Sequence, residues 1–194
     1  MRKQFFLVTS ACLAIVSLSY TSARAQTSSG EPKVEAGAQF TLLRFRDLGV
    51  TDVGLGGRVG YNFTDNIRVE GEINFFPKDN QDLGGMGRKT EGFFGGLLGF
   101  RSNTWGIYSK IRPGFIHFTR DAFAVPFSTT NFAIDLGGVV EFYPSHRSVV
   151  RFDVGDTAIR FGSDTVLPTP IGPVATGSFW SHNLQFSAGA GVRF

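Results

Sequence analysis

The last eleven residues of the chain, Leu184 to Phe194, alternate between apolar side chains and polar or very small ones. Apolar residues occupy every even position from 184 to 194, and the last of them is aromatic. About 9 to 11 such residues let a tilted strand cross a bilayer with one face in lipid and the other in a lumen. A lone strand would leave its backbone N–H and C=O groups unpaired in hydrocarbon. The pattern therefore predicts partner strands that close into a barrel.

The first 25 residues have the features of a secretory signal peptide. Arg2 and Lys3 precede an apolar stretch, and Ala23-Arg24-Ala25 is a small-x-small cleavage site. A membrane anchor is the alternative, but serine and threonine residues interrupt the apolar stretch before it reaches the roughly 20 residues that a span needs. We therefore expect cleavage after Ala25, with a signal peptide at 1–25, a short periplasmic segment at 26–33 and the barrel at 34–194.

Removal of the signal would change the charge of the protein. The whole chain has 19 basic and 16 acidic residues, and the signal contains Arg2, Lys3 and Arg24 but no acid. The predicted mature chain is therefore neutral, with 16 residues of each sign, so a basic surface for nucleic acid is not expected. The single cysteine, Cys12, also lies in the signal, which excludes a disulfide framework in the mature chain.

Eight segments of the mature chain have the composition and alternation of strands. In the third, Ile67, Val69, Ile73 and Phe75 alternate with charged and polar residues. The seventh segment is short, and we expect it to extend toward Ile159. Pro113 in the fifth lacks a backbone donor and predicts a β-bulge or a strand that is already leaving the membrane. The predicted strands are Val34–Phe45, Val53–Phe63, Ile67–Phe76, Thr90–Arg101, Trp105–Phe118, Phe132–Tyr143, Ser148–Gly155 and Ser178–Phe194.

Short and long connections alternate between these strands. The short ones are 64–66, 102–104 and 144–147, and the long ones are 46–52, 77–89, 119–131 and 156–177. Outer-membrane barrels have short periplasmic turns and longer extracellular loops, so both termini should be periplasmic. Two aromatic girdles fit this orientation, a periplasmic one of Tyr61, Phe63, Phe100, Trp105, Phe142 and Phe194, and an outer one of Phe40, Phe75, Phe115, Phe132 and Trp180.

The mature chain resembles small bacterial outer-membrane barrels of the OmpX/Ail type and the transmembrane domain of OmpA. The resemblance is carried by the eight alternating strands, the loop asymmetry and the terminal strand that ends in Phe194. It implies an all-β, eight-stranded antiparallel up-and-down barrel in the cell outer membrane, surrounded by lipids that include lipopolysaccharide. It also implies that the barrel assembly machinery binds the last strand and its final ring. The alternative is a soluble β-sandwich with an aromatic core.

The inward positions of the predicted strands carry equal numbers of acids and bases. An eight-stranded barrel is just wide enough for side chains to fill, and an unpaired charge there is costly. We therefore expect a structural salt-bridge network rather than catalysis or proton transfer. Its members are Glu35, Arg58, Arg68, Glu70, Glu72, Glu91, Arg101, Lys110, Arg112, Asp135, Glu141, Arg151, Asp153 and Arg193.

Enzyme motifs are scarce. His117 and His182 fall on the outer face or near loops, and the serine that lipid A deacylases have two residues after their histidine is absent after His117. The second long connection contains Asp79, Asn80 and Asp82, but without the spacing and glycine of a calcium loop. No catalytic residue, metal site or cofactor is therefore predicted.

The function that this pattern favours is a non-enzymatic outer-membrane barrel that contributes to envelope integrity and presents extracellular loops, with adhesion as one role for those loops. Their ligand is unknown. A lipid A or phospholipid-modifying enzyme and a minor narrow channel remain open. Four arginines near the extracellular strand ends are further candidates to meet lipopolysaccharide phosphates, namely Arg44, Arg46, Arg120 and Arg160.

Overall fold

The computed structural model describes residues 32–78, 87–119, 128–162, 166–169, 172–175 and 177–194. The predicted signal peptide with its cleavage site at Ala25, most of segment 26–33, the acids of the second connection and Arg120 lie outside these residues. The described chain forms ten strands: β1 (Val34–Phe45), β2 (Val50–Asn62), β3 (Ile67–Phe76), β4 (Lys89–Arg101), β5 (Trp105–Phe118), β6 (Thr129–Ser145), β7 (Ser148–Phe161), β8 (Val166–Thr169), β9 (Gly172–Ala175) and β10 (Phe179–Arg193).

Eight of these strands close into an antiparallel barrel in the order β1-β10-β7-β6-β5-β4-β3-β2. Each strand pairs with its chain neighbour in the barrel, and β10 pairs with β1 to complete the ring. Following paired residues once around from Val34 returns to β1 at Arg44, a stagger of ten residues. The predicted eight-stranded up-and-down barrel is therefore confirmed. Among the described residues, no helix is both long and apolar enough to cross a membrane.

The strands are longer at one end of the barrel than the sequence predicted. β2 begins at Val50, so the first connection is a four-residue turn in which Gly49 adopts a φ of 65°. β7 continues to Phe161, beyond the expected extension. The last connection contains the hairpin β8–β9, which the prolines in this segment obscured. We call this end, with connections 46–49, 77–88, 119–128 and 162–178, the loop end, and the opposite end, with connections 63–66, 102–104 and 146–147, the turn end.

Pro113 does not produce the predicted bulge. The pairing between β4 and β5 has the same register before and after it, and Pro113 itself faces Ile134 in an unshifted β5–β6 ladder. Its side chain lies on the exposed outer face. The barrel's register shift instead lies between Phe142 and Ser145, in the β6–β7 ladder beside a turn.

Alternation along each strand separates an apolar outer face from a polar inner one. In β3, Ile67, Ile73 and Phe75 are exposed, whereas Arg68 and Glu70 are buried in the lumen. Outward exposure of so many large apolar side chains is what a lipid-facing surface requires, because lipid rather than water covers it.

The aromatic residues of the turn-end girdle are exposed on the outer face, and Tyr61 packs against Phe63 with ring centroids 5.0 Å apart. At the loop end, Phe132 and Trp180 form an edge-to-face pair at 6.2 Å. Phe40 is different, because it is half-buried and lies in the middle of β1, opposite Leu55 and Ala188. Its assignment to the outer girdle was wrong.

Candidate functional site

The half of the lumen nearer the turn end is filled by buried charged side chains that form one continuous set of ion pairs, which we call the charge network. Every member is at most 5% exposed. The network comprises Glu35, Arg58, Arg68, Glu70, Glu72, Lys110, Arg112, Asp135, Glu141, Arg151 and Asp153.

Arg112 lies at the centre of the charge network. Its Nη1 donates to Glu70 Oε1 at 2.5 Å and to Glu72 Oε2 at 2.6 Å, while its Nε donates to Asp135 Oδ2 at 2.9 Å. Arg151 approaches Glu70 from another strand and donates from Nη2 to Glu70 Oε1 at 2.9 Å. Because Glu70 is shared by two guanidinium groups, removal of its charge would affect both.

Two further acids extend the charge network. Glu35 on β1 contacts Arg58 at 3.1 Å and Arg68 at 3.4 Å. Arg68 in turn donates from Nη2 to Glu141 Oε2 at 2.9 Å, across the barrel from β3 to β6. The contacts of Arg68 with Glu35 and Glu141 link strands that are not neighbours in the sheet, so the charge network holds the barrel across its lumen as well as around its wall.

The turn end of the lumen is covered by tyrosines and arginines. The Arg193 guanidinium lies 4.2 Å from the centroid of the Tyr143 ring, and that of Arg101 lies 5.3 Å from the same ring. Tyr143 also donates to Glu141 Oε2 at 2.7 Å. A cation over an aromatic face is attracted by the ring quadrupole. Arg101 and Arg193 therefore lie beside the charge network, each with its guanidinium group against the Tyr143 ring.

Glu91 differs from the other predicted acids, and its assignment to the network was wrong. Its Oε1 accepts hydrogen bonds from Asn74 at 2.8 Å and Gln185 at 2.9 Å, and within the described residues it has no cationic partner. Gln39 also donates to Asn74 Oδ1 at 3.1 Å. Glu91 therefore belongs to a layer of amide and hydroxyl side chains between the charge network and the loop end of the lumen.

The lumen at the loop end is closed by a second cluster, which we call the aromatic cap. Its rings contact one another, with Phe118 at 6.3 Å from Phe45 and 6.1 Å from Phe161, and Phe161 stacked on Phe179 at 5.3 Å. The buried members are Leu43, Phe45, Phe76, Phe93, Ile116, Phe118, Ala133, Ile159 and Phe161, with Leu48 and Phe179 packed against them.

Sequence reasoning missed the aromatic cap and a buried ion pair within it. The signal available in the sequence was the strand face, because residues an even number of positions apart lie on the same face. Phe76 therefore shares the inner face with Glu70, and Phe118 shares it with Arg112. Lys89 donates to Asp52 at 2.5 Å, with both side chains fully buried. Both had been placed in loops, because their strands were predicted to begin at Val53 and Thr90.

Two histidines on the outer face each have a polar partner. His117 Nδ1 lies 2.8 Å from Thr130 Oγ1 on β6, and His182 Nδ1 lies 2.5 Å from Asp156 Oδ2 on β7. An activated nucleophile needs a base that is itself oriented by a third group. In the described part of the chain, neither histidine has both an acid and a hydroxyl as partners.

Comparison with solved structures gives the same fold. The N-terminal β-barrel domain of Pseudomonas aeruginosa OprF shares 11% sequence identity, with a TM-score of 0.60 over 86% of this chain and 100% of that one. Two other barrels align at 15% identity. Neisserial surface protein A has a TM-score of 0.48 over 87% of this chain and 100% of its own, and Ail of Yersinia pestis, solved with the heparin analogue sucrose octasulfate, has 0.49 over 86% and 100%.

No curated protein matches the sequence. The family model of the outer membrane protein beta-barrel domain matches residues 9–194, which is nearly the whole chain. That match agrees with the closed eight-stranded barrel, its apolar outer face and its polar lumen. The chain therefore belongs to the outer membrane protein beta-barrel domain family and is a protein of the cell outer membrane.

Proposed function

We propose that this protein is a non-enzymatic outer-membrane barrel that contributes to envelope integrity and displays its loops outside the cell. The observation that carries the proposal is the filling of the lumen. The charge network occupies the turn-end half, and the aromatic cap closes the loop end. An eight-stranded barrel has no interior space to spare once its side chains are packed, so its wall and its loops are the surfaces left for function.

A filled lumen argues against the narrow-channel alternative. Ions crossing the barrel would have to displace buried ion pairs such as Arg112–Glu72 and then pass the stacked rings of Phe161 and Phe179. We expect planar bilayers containing the purified protein to show no stable conductance steps. Reproducible steps of one size would contradict the proposal and support a channel.

The structural role is tested in cells that lack the protein. We expect a deletion strain to become more sensitive to detergent and to large antibiotics, with wild-type protein restoring resistance. A variant with a Gly-Ser linker in place of the β8–β9 hairpin should restore it equally, because the hairpin is a separate sheet from the barrel. Unchanged sensitivity on deletion would contradict the contribution to envelope integrity.

Display of loops is tested with the same hairpin variant. If the loops mediate adhesion, binding of cells to a host-cell layer should fall when the hairpin is replaced, while barrel yield stays constant. The enzyme alternative is tested separately by the lipid profile of the deletion strain. We expect the number of acyl chains on lipid A and phospholipid to be unchanged, and a missing modified lipid would overturn the non-enzymatic assignment.

A further inference from the structure

Charged side chains on the outer face of the barrel are confined to one side. Among the described outward positions of the barrel strands, the charged residues are Arg44, Asp156 and Arg160, and His182 lies beside them. They belong to β1, β7 and β10, which are adjacent in the barrel. On the other five barrel strands, His117 is the only outward Asp, Glu, Lys, Arg or His side chain among the described residues. We call the three strands with Arg44, Arg46, Asp156, Arg160 and His182 the charged wall.

The arginines of the charged wall lie at its loop end. Arg160 faces Phe132 on one side and Trp180 on the other, and Arg44 is opposite Leu184. Arg46 follows in the turn after β1, and all three arginines are exposed. Within the described residues none of them forms an ion pair. Guanidinium groups at this level face the headgroups of the outer leaflet, where phosphate is the complementary charge.

Asp156 lies closer to the middle of the membrane than Arg160, and His182 is opposite Ala158, between these two levels. Asp156 is four residues before Arg160 on β7, about 13 Å along the strand, and it is opposite Leu136 and Leu184. Its side chain is 38% exposed and its Oδ2 lies 2.5 Å from His182 Nδ1. A carboxylate in the apolar band is unfavourable unless it is paired, so polar residues there indicate a functional site.

Within the described residues, another acid at the loop end, Asp47, faces a different direction. Asp47 in the β1–β2 turn accepts a hydrogen bond from Ser181 at 2.6 Å, and Ser181 is a buried, inward-facing residue of β10. Asp47 is therefore engaged at the inner rim of the barrel. Among the described residues, the loop end of the charged wall therefore has a positive excess from its three arginines.

We propose that the charged wall binds a phosphorylated glycolipid of the outer leaflet. Its arginines hold the phosphate groups, and Asp156, which contacts His182, accepts hydrogen bonds from N–H and O–H groups at the base of the acyl chains. A carboxylate only accepts hydrogen bonds, so the deeper position selects lipids that carry donors at that depth. Glycerophospholipids offer phosphate but only ester acceptors below it. The inference rests on the proposed function only in placing the barrel in an outer leaflet.

The test measures lipid binding to the refolded full barrel in zwitterionic detergent micelles. The chain contains two tryptophans, Trp105 and Trp180. In a Trp105→Phe background the fluorescence of Trp180, which is paired with Arg160, reports on the charged wall. Titration with bisphosphorylated lipid A should give an affinity at least ten-fold higher than titration with phosphatidic acid. Inorganic phosphate at millimolar concentration should not compete, because a lipid rather than a free ion is bound.

Two sets of variants separate the contribution of the arginines from that of the Asp156–His182 pair. Replacing Arg44, Arg46 and Arg160 by Gln should weaken binding of both lipids more than ten-fold. Asp156→Asn combined with His182→Gln should weaken lipid A alone and remove the preference. Arg147→Gln in a turn at the opposite end is the control and should have no effect.

Folding of every variant is checked by the heat-dependent shift of the barrel band on gels. If the triple variant does not fold, Arg160→Gln alone replaces it. We expect this single substitution to weaken binding several-fold. Equal binding of lipid A to wild type and the arginine variants, or equal loss in the control, would overturn the inference. So would displacement by inorganic phosphate. None of these results affects the tests of envelope integrity or conductance, which do not depend on lipid affinity.

Discussion

The two halves of the lumen are filled in opposite ways. At the turn end, guanidinium and carboxylate groups such as Arg112 and Glu70 form shared, fully buried ion pairs. At the loop end, the rings of Phe45, Phe118 and Phe161 pack against one another and enclose a single described ion pair, Lys89–Asp52. The first half depends on charge balance and the second on shape. The two halves should therefore respond differently to substitutions of the same size.

The two halves of the lumen also differ in how directional their contacts are. Bidentate guanidinium–carboxylate contacts have fixed geometry and fix which strands face each other across the lumen. Apolar packing is less directional, and a volume-conserving exchange is usually tolerated. We infer that the charge network specifies the arrangement of the barrel, whereas the aromatic cap seals it.

The largest effect is expected from Glu70→Gln. The substitution keeps the shape of the side chain but leaves Arg112 and Arg151 short of a counter-charge in a buried site. Breaking one partner of a buried pair costs about 3 to 5 kcal/mol. The free energy of unfolding of the barrel in lipid vesicles, from urea titration followed by tryptophan fluorescence, measures the loss.

Glu91→Gln is the matched control for that experiment. Glu91 is equally buried, but its partners are the amides of Asn74 and Gln185. We expect a change within about 1 kcal/mol, since an amide oxygen can still accept those hydrogen bonds. Equal losses for the two variants would mean that the ion pairs of Glu70 contribute no more to the free energy of unfolding than the neutral hydrogen bonds of Glu91.

A smaller effect is expected where the two halves meet. A Cβ atom at Gly56 would lie 1.8 Å from Asn74 Oδ1 and 2.4 Å from the Ile73 carbonyl oxygen. Gly56→Ala should therefore destabilise the barrel by about 2 to 3 kcal/mol through overpacking. At Gly57 on the outer face the nearest atom would be 3.5 Å away. If Gly57→Ala lowered the unfolding free energy as much, the loss would come from strand propensity rather than from the filled lumen.

The alternation of side chains was sufficient to predict the barrel. Glu35, Arg58 and Arg151 lie on the inner face because a period of two leaves only one other face, and that face is apolar. The pairing of particular charges was not predictable in the same way. It depends on the stagger of ten residues around the barrel, which sets the residues of β3 and β6 that meet at one level across the lumen and is not visible within any one strand.

The aromatic cap was missed for a related reason. Phe45 and Phe118 were counted only as apolar residues, and apolar residues were assigned to lipid, although both share the face of inward charges on their own strands. Asp52 and Lys89 were missed because acids and lysines near predicted strand ends look like loop residues. Only the extension of β2 and β4 beyond the predicted bounds brings them together.

The aromatic cap should respond modestly to a change of shape. Phe118→Leu keeps an apolar side chain but loses ring contacts with Phe45 and Phe161. We expect a loss of about 1 to 1.5 kcal/mol in the same unfolding assay. Phe115→Leu, three residues earlier and exposed to lipid, is the control and should change stability by less than about 0.5 kcal/mol. If the two losses were the same, the cap would not be packed as a core.

The smallest effect on stability is expected outside the lumen, at Phe194. Its ring is 70% exposed at the turn end, while its backbone exchanges two hydrogen bonds with Val34, at 2.8 and 3.1 Å, across the β1–β10 seam. Phe194→Ala removes the ring and keeps both hydrogen bonds, so we expect a loss of about 1 kcal/mol or less on unfolding, below the value for a fully buried ring. If the assembly machinery binds this ring, the yield of barrel in the outer membrane of cells should fall several-fold, with refolding into detergent unchanged. Parallel losses in cells and in detergent would show instead that Phe194 contributes only to packing.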